Sequence, residues 1–333
     1  MHNFKKIILH TALLIFFVII ILICSTLPYF WGESYYYQDY KVRTSLSGKL
    51  DTLVIGSSHA LRSIKPTILN EKLNTKAYNL SSPLMSMYGR YVMLEKEINR
   101  NPIKTVYLEI SYNALTLDRK TLGLEGDLYV LGRFDNVFER INFFTNAFPP
   151  DEYRKVLSDI IVRSKNSFSI HNTIEQYETF GYLSMPSNNQ LLSDKTKEKI
   201  KNTKSLDINI REESLYYFDK IIKLCKKNDI RVILTVTPVT EMMIIECNNL
   251  DDIFSQYIDL AKKYNCEYYD FNLDKHRKKL YSEETSFYDI THMSDSGAEI
   301  FSNRLAEIIK YVDQGNNVSN YFLNSYAELK KLL

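Results

Sequence analysis

Two adjacent serines follow the first short apolar strand of the sequence. The run Asp51-Thr-Leu-Val-Ile-Gly56 has the composition of a buried strand that ends at a glycine, and Ser57, Ser58 and His59 come directly after it. A serine at a strand-to-helix turn is exposed, and nearby backbone N–H groups can hold a developing oxyanion. Serine needs a base to act as a nucleophile, so on its own this stretch is more typical of a simple helix cap than of a catalytic serine.

A carboxylate and an imidazole stand three positions apart near the other end of the chain. Asp289 and His292 lie in a loop that precedes a predicted helix. A turn there brings the carboxylate to the imidazole Nδ1, which fixes the tautomer and leaves Nε2 free as a base. The alternative interpretation is that Asp289 caps a turn and that His292 is a surface histidine.

The elements that must position these residues alternate between strands and helices. Strands are predicted at 51–56, 76–80, 105–110, 230–237 and 266–271, and helices from about Pro66 and at 85–100, 210–228, 251–264 and 296–311. Such alternation predicts a flavodoxin-like α/β fold, a three-layer α/β/α sandwich around a five-stranded parallel sheet. Because sites in such sheets lie at the carboxyl ends of strands, the serine turn and the Asp-x-x-His loop are expected at one edge.

An apolar run of roughly 20 residues precedes the strands, enough to cross a bilayer as a helix. Two lysines before it place the following chain outside the cytoplasm by the positive-inside rule, and a cleaved signal peptide is the rival interpretation. The predicted division is a cytoplasmic stub and single-pass transmembrane anchor at 1–32, a connector at 33–50, an extracytoplasmic domain at 51–315 with a mostly helical insertion at 118–206, and a C-terminal tail at 316–333.

The charge balance and the motifs exclude several classes of function. The chain has 42 basic and 40 acidic side chains, a net charge of +2, which is not typical of a nucleic-acid-binding protein. It has no Gly-rich phosphate loop, dinucleotide fingerprint or paired metal-ligand spacing. No cofactor and no metal are therefore predicted, and nucleic acid is not expected as a partner.

Together these motifs resemble the SGNH (GDSL-like) hydrolase superfamily. The resembling blocks are Gly56-Ser57-Ser58-His59, Asn79-Leu80-Ser81 and Asp289-Ile-Thr-His292-Met-Ser. More narrowly, they are similar to a membrane-anchored branch that includes the D-alanyl-lipoteichoic acid biosynthesis protein and the SGNH partners of polysaccharide O-acetylation. The likeness covers about 51–309, with the middle insertion unmatched and with Ser57 where the superfamily has an aspartate.

The resemblance implies a role for each matching residue. It makes Ser58 the nucleophile, His292 the base and Asp289 the acid that orients the base. The implied oxyanion donors are Ser58 and Ser81, with Asn113 from a loose third-block match, and the implied substrate contacts are His59 and Asn79. Ser81 stands where the superfamily has a glycine, and a backbone donor survives that change only at suitable backbone angles.

These expectations converge on acyl transfer at a cell envelope. The resemblance implies a serine acyltransferase or esterase that acts on O-acyl groups of an envelope polysaccharide or a teichoic-acid-like polymer. It also implies a membrane-bound O-acyltransferase as partner, and a membrane location through the N-terminal helix. Two alternatives stay open: a polysaccharide deacetylase, and a non-catalytic adaptor that binds an envelope polymer or recruits a partner with a vestigial site.

Overall fold

Five short strands form a single parallel sheet in the computed structural model, which describes residues 2–26, 35–134, 136–167, 179–186 and 205–333. The sheet order is β2-β1-β3-β4-β5, and the strands are β1 (Thr52–Ile55), β2 (Ala77–Asn79), β3 (Thr105–Glu109), β4 (Arg231–Val236) and β5 (Glu267–Asp270). All four pairings are parallel. The prediction of a five-stranded parallel α/β sheet is confirmed, with each strand inside its predicted range.

The other regular elements of the described residues are helices. In chain order they are α1 (His2–Thr26), α2 (Tyr35–Ser45), α3 (Ser58–Leu61), α4 (Pro66–Leu73), α5 (Met87–Ile98), α6 (Arg119–Leu122), α7 (Leu124–Leu131), α8 (Val137–Ala147), α9 (Tyr153–Ser167), α10 (Glu212–Lys227), α11 (Glu241–Glu246), α12 (Leu250–Tyr264), α13 (Arg277–Leu280), α14 (Asp295–Asp313) and α15 (Tyr326–Lys330). Short 3-10 turns occur at Pro150–Glu152, Thr179–Gly181, Phe271–Leu273 and Ser319–Tyr321.

Both faces of the sheet are covered because its strands are apolar on both sides. Val54, Tyr107 and Ile233 point to one face, where they share a core with α4 and α14. Their strand neighbours, such as Leu53 and Leu108, are fully buried on the opposite face. Right-handed connections place α5, α10 and α12 on that second face, and α5 packs against α10. The result is the predicted three-layer sandwich.

The chain divides into two compact units. One unit comprises 42–127 and 176–333 and contains the whole sheet. The other comprises 1–41 and 128–175, and its described core is aromatic, with Phe143 in ring contact with Phe134 and Phe148. The insertion predicted at 118–206 is helical in its first half, whereas 168–178 and 187–204 lie outside the described residues.

The prediction of an N-terminal transmembrane helix is wrong. Among the residues that the structure describes, no helix is long and apolar enough to cross a membrane. The prediction rested on the apolar composition of a stretch of sequence, whereas a span requires a helix that is itself sufficiently long and apolar.

Candidate active site

The two adjacent serines of the nucleophile turn, Ser57 and Ser58, make different contacts. Ser57 is the N-cap of α3, and its Oγ accepts a hydrogen bond from the His59 N–H at 3.2 Å. Ser58 is the first residue of the helix and is only partly buried. Its Oγ lies 2.8 Å from His292 Nε2. The cap interpretation therefore applies to Ser57, and the hydroxyl of Ser58 faces the imidazole.

The Asp-x-x-His loop holds that imidazole in one orientation. His292 Nδ1 lies 2.9 Å from Asp289 Oδ2 and 3.0 Å from Oδ1. Asp289 Oδ1 also accepts the backbone N–H groups of Thr291 and His292, each at 2.9 Å. With Nδ1 donating to the carboxylate, Nε2 carries the lone pair that faces Ser58. The structure thus brings all three residues of the predicted triad together.

The charge of Asp289 is stabilised by the residues around it. Partial burial opposes ionisation, but the hydrogen bond and charge of His292 and the backbone N–H groups of Thr291 and His292 outweigh it. They hold the pKa of the Asp289 carboxyl well below its usual range. The carboxylate is therefore available to stabilise a cationic imidazole across the neutral pH range.

Local contacts fix the loop against the start of α14. Tyr288 N–H donates to the His292 carbonyl at 2.9 Å, which closes the turn. Ser294 caps α14 by accepting the Gly297 N–H, and its own N–H donates to the Ser286 carbonyl at 3.0 Å. A Cβ on Gly297 would lie 1.9 Å from the Ser286 carbonyl oxygen, so only glycine allows this approach. The loop and the helix therefore form one unit.

A small cavity of about 40 Å³ opens beside the nucleophile. Its polar wall comprises Ser57, Ser58, His59, Arg90 and Asn113, and its apolar wall comprises Leu84, Met85, Ala114, Leu117 and Leu122. A larger surface groove of about 570 Å³ lies beside α4 and α14 and shares no lining residue with this cavity. We take the smaller cavity as the candidate active site because Ser58 and His59 line it, and not because of its volume.

The predicted oxyanion donors differ in where the structure places them. Asn113 lines the cavity, and its Oδ1 accepts from Ser111 Oγ at 3.4 Å, so its amide N–H groups are the donors that it can offer. Ser81 is fully buried and its N–H donates to Asn79 Oδ1 at 3.1 Å. That N–H reaches an oxyanion only if it leaves Asn79.

Asn79, predicted to contact substrate, is instead engaged with the protein. Its side chain is fully buried, and its Nδ2 donates to the carbonyls of Ala60 and Ile64, both at 2.9 Å. Its Oδ1 accepts the Ser81 N–H. Both polar atoms of the side-chain amide thus have protein partners. Through these hydrogen bonds, Asn79 joins the end of α3 to the loop after β2. Neither Asn79 nor Ser81 is among the described residues that line the cavity.

His59 belongs to the cavity wall and is close to the catalytic pair. Its ring centroid lies 5.1 Å from that of His292 and 5.5 Å from that of Tyr112. It is 4% exposed, and burial lowers its pKa to about 4, so the ring is neutral at pH 7. Within the part of the chain that the structure describes, its Nδ1 has no hydrogen-bond partner.

Arg90 is the residue of the site that sequence reasoning missed. It lies on α5 with a 2% exposed side chain beside the carboxylate of Glu109, and it lines the cavity. In the sequence, Glu109 stands within the strand predicted at 105–110, and an acidic residue in a buried strand needs a partner. That requirement was the signal in the sequence that could have indicated a cationic partner such as Arg90 on another element. The described residues contain no group of three metal-ligating side chains.

Comparison with known proteins gives limited results. No family profile and no curated protein matches the chain. A lipolytic protein assigned to the G-D-S-L family from Desulfitobacterium hafniense has a similar backbone at a TM-score of 0.37 and 10% identity, over 78% of this chain and 99% of that one. A protein from Bacteroides fragilis that is assigned as an acylhydrolase has a TM-score of 0.36 and 11% identity. The match covers 82% of this chain and 94% of that one. At these scores the assignment of the site rests on its own geometry.

Proposed function

We propose that this protein is a serine acyl-transfer enzyme, an esterase or O-acyltransferase, that works through an acyl group on Ser58. The proposal is supported chiefly by the unbroken chain of contacts from Ser58 Oγ to His292 Nε2 at 2.8 Å and from His292 Nδ1 to Asp289 at 2.9 Å. Both separations are within the reach that proton transfer requires. The chain of contacts lies beside a cavity that can admit a substrate.

In the first step, Ser58 Oγ attacks the carbonyl carbon of an ester or thioester. Its proton passes to His292 Nε2, and the Asp289 carboxylate stabilises the imidazolium that forms. The tetrahedral intermediate collapses when His292 returns this proton to the leaving alcohol or thiol. The acyl group is then bonded to Ser58 Oγ, and the base is neutral again.

The negative oxygen of the tetrahedral intermediate requires hydrogen-bond donors, and not all of the predicted donors face the cavity. The Ser58 N–H and the Asn113 side-chain amide are the candidates on the cavity side. Loss of one such donor typically costs about 3 kcal/mol of transition-state stabilisation. The Ser81 N–H joins them only if it leaves Asn79 Oδ1, to which it donates at 3.1 Å.

The second step decides between transfer and hydrolysis. His292 Nε2 takes a proton from an acceptor hydroxyl as its oxygen attacks the acyl carbon, and the imidazolium then gives that proton to Ser58 Oγ as the bond between Ser58 and the acyl group breaks. A sugar or polyol hydroxyl makes the protein an acyltransferase, and water makes it an esterase. An envelope polysaccharide or teichoic-acid-like acceptor, a partner O-acyltransferase and an extracytoplasmic location stay predictions from the resemblance of the sequence motifs.

The size of the cavity favours a short acyl group. A single water needs about 10–15 Å³ of such space, so a cavity of about 40 Å³ accommodates roughly three non-hydrogen atoms, the number in an acetyl group. Leu84, Met85 and Leu122 give it an apolar wall against which a methyl group can pack. A long acyl chain would have to extend out of the cavity or displace these side chains.

A reactive-serine assay tests the proposal. The full-length chain is treated with a fluorophosphonate probe and, separately, with p-nitrophenyl acetate, butyrate and octanoate. We expect labelling and turnover that fall with chain length. Ser58→Ala and His292→Ala should each lose labelling, because the first removes the nucleophile and the second removes its base.

Ser255→Ala is the matched control, since Ser255 is exposed on α12 and contacts only the Asp252 carbonyl. It should keep the parent's labelling. Absence of labelling in the parent, or equal labelling after Ser58→Ala, would reject catalysis and favour the adaptor alternative. Addition of a polysaccharide acceptor then distinguishes the two enzymes, because only a transferase moves the acyl group to it.

A further inference from the structure

We propose that Glu109 and Arg90 form a buried ion pair that positions the three loops of the active site; this inference rests on the proposed function. Glu109 is the last residue of β3 and is fully buried, and Arg90 on α5 is 2% exposed. Arg90 Nη2 lies 3.7 Å from Glu109 Oε2. Neither residue is part of the proposed proton-transfer chain, so both act through the residues that they hold.

The Glu109 carboxylate joins the nucleophile turn to the turn after β3. Its Oε2 accepts from Ser57 N–H at 2.8 Å and from Ser57 Oγ at 2.9 Å. Its Oε1 accepts from Ser111 N–H at 2.5 Å. Ser57 precedes the nucleophile, and Ser111 contacts the side chain of Asn113. One side chain thus fixes both the nucleophile and a candidate oxyanion donor.

Arg90 connects a third loop, the one after β2, to the other two. Its Nε donates to the Met85 carbonyl at 3.2 Å, and its Nη1 donates to the backbone carbonyl of Glu109. Met85 belongs to the loop after β2, whose side chains Leu84 and Met85 line the cavity. The pair therefore links three loops that are separate in sequence and that together line the cavity.

The chemistry of this position requires a carboxylate. All the groups that contact the two side-chain oxygens of Glu109 are donors: Ser57 N–H, Ser57 Oγ, Ser111 N–H and the Arg90 guanidinium. An amide at this place would turn an N–H group toward at least one donor. Gly56 lies close by, because a Cβ there would be 2.6 Å from Glu109 Oε2. The absence of a side chain at Gly56 admits the carboxylate.

The electrostatic balance agrees with this geometry. Burial alone would raise the pKa of Glu109, but Arg90, His59 and the hydrogen bonds from Ser111 and Ser57 lower it below its ordinary value. The carboxylate therefore stays charged inside the protein. A buried charge of this kind is strongly destabilising when its partner is removed, which any test must take into account.

The test compares Glu109→Gln with a variant that is destabilised elsewhere. In the full-length chain we expect Glu109→Gln to lower the rate of fluorophosphonate labelling and kcat for p-nitrophenyl acetate by about 100-fold, with KM little changed, because a displacement of about 1 Å has this effect. Phe218→Leu removes packing from a fully buried residue of α10. It should lower the melting temperature and leave both rates unchanged at 25 °C.

A double variant separates positioning from stability. Arg90→Met with Glu109→Gln removes both charges, so no buried charge is left unpaired. It should recover melting temperature relative to Glu109→Gln and keep the slow labelling, because an amide oxygen can replace only one of the two carboxylate oxygens that accept from Ser57 and Ser111. Recovery of the labelling rate together with stability, or parent-like labelling in Glu109→Gln, would overturn the proposal.

A second readout does not depend on activity. Hydrogen exchange followed by mass spectrometry should be faster in Glu109→Gln for peptides that contain Ser57 and Ser111, and unchanged there in Phe218→Leu. If the parent shows no labelling at all, the proposed function fails, while exchange still decides the role of Glu109. Equal exchange in the two variants would overturn the positioning role by itself.

Discussion

Ser57 and Ser58 illustrate how neighbouring residues of one type acquire different roles. Ser57 Oγ is held between Glu109 Oε2 and the His59 N–H, so it is a structural cap. Ser58 Oγ lies 2.8 Å from His292 Nε2. The difference comes from long-range contacts, since Ser58 and His292 are 234 positions apart.

The acid dependence of stability tests the burial of His59. Burial lowers its pKa from 6.5 to about 4, so between these values the unfolded chain binds a proton that the folded chain does not. This contribution to stability is present above pH 6.5 and is lost as the pH falls toward 4. The full effect is about 3 kcal/mol. Urea unfolding of the parent and of His59→Gln at pH 7, 6, 5 and 4 should show it.

The comparison between the two chains isolates His59. Other buried groups titrate in the same range with the opposite sign, such as Asp127, whose pKa burial raises to about 7. Because these groups are common to both chains, their contributions cancel in the difference in the free energy of unfolding, which reports His59 together with its interactions with Glu109 and His292. Parallel pH curves for the parent and His59→Gln would contradict a buried neutral imidazole.

At the scale of elements, the site is built from strand ends and helix starts. β1 ends just before the nucleophile turn, β3 ends at Glu109, and α14 begins just after the Asp-x-x-His loop. Parallel strands bring their carboxyl ends to one edge of the sheet, which is why distant segments meet there. Two glycines, Gly56 and Gly297, allow close approaches at this edge.

Gly297→Ala should loosen the contact between α14 and the loop that carries His292. The new Cβ would lie 1.9 Å from the Ser286 carbonyl oxygen, a backbone atom that cannot rotate away. We expect a loss of about 2 kcal/mol in the free energy of unfolding, typical of overpacking, and slower fluorophosphonate labelling. Glu299→Ala on the exposed face of the same helix is the control and should change neither quantity. Parent-like behaviour of Gly297→Ala would show that the loop is not fixed by this contact.

At the scale of the molecule, the C-terminal segment is packed onto the unit that contains the sheet. The segment at 316–333, predicted only as a tail, includes α15. There, Tyr326 stacks on Phe254 with ring centroids 5.1 Å apart, and its hydroxyl donates to Asp270 Oδ2 at 2.9 Å. Asp270 ends β5, so the end of the chain supports the last strand of the sheet.

Tyr326→Phe should therefore lower stability without affecting the chemistry. It removes one buried hydrogen bond to a carboxyl group, a loss of about 2 kcal/mol in the free energy of unfolding. Tyr311→Phe, on a ring that is 39% exposed, is the matched control and should be close to neutral. Labelling of Ser58 should be unchanged in both. An equal loss in the two variants would contradict a specific support of β5 by Tyr326.

The sequence by itself determined the layers of the fold and the two ends of the site. Apolar strands that alternate with amphipathic helices require a covered parallel sheet, and that topology places Ser58 and His292 at one edge. These are local patterns, so they can be recognised in a single chain. The same approach failed for the N-terminal helix, where apolar composition suggested a membrane span that the described helix does not satisfy.

Only the tertiary structure decided which partner each polar group of the site has. It assigned the cap to Ser57, engaged the Ser81 N–H with Asn79, and paired Glu109 with Arg90. Periodicity reports which residues are buried, but a hydrogen bond depends on distances of a few tenths of an ångström between segments far apart in sequence. Such pairings follow from the packing of the whole sheet edge and cannot be recognised in any one segment.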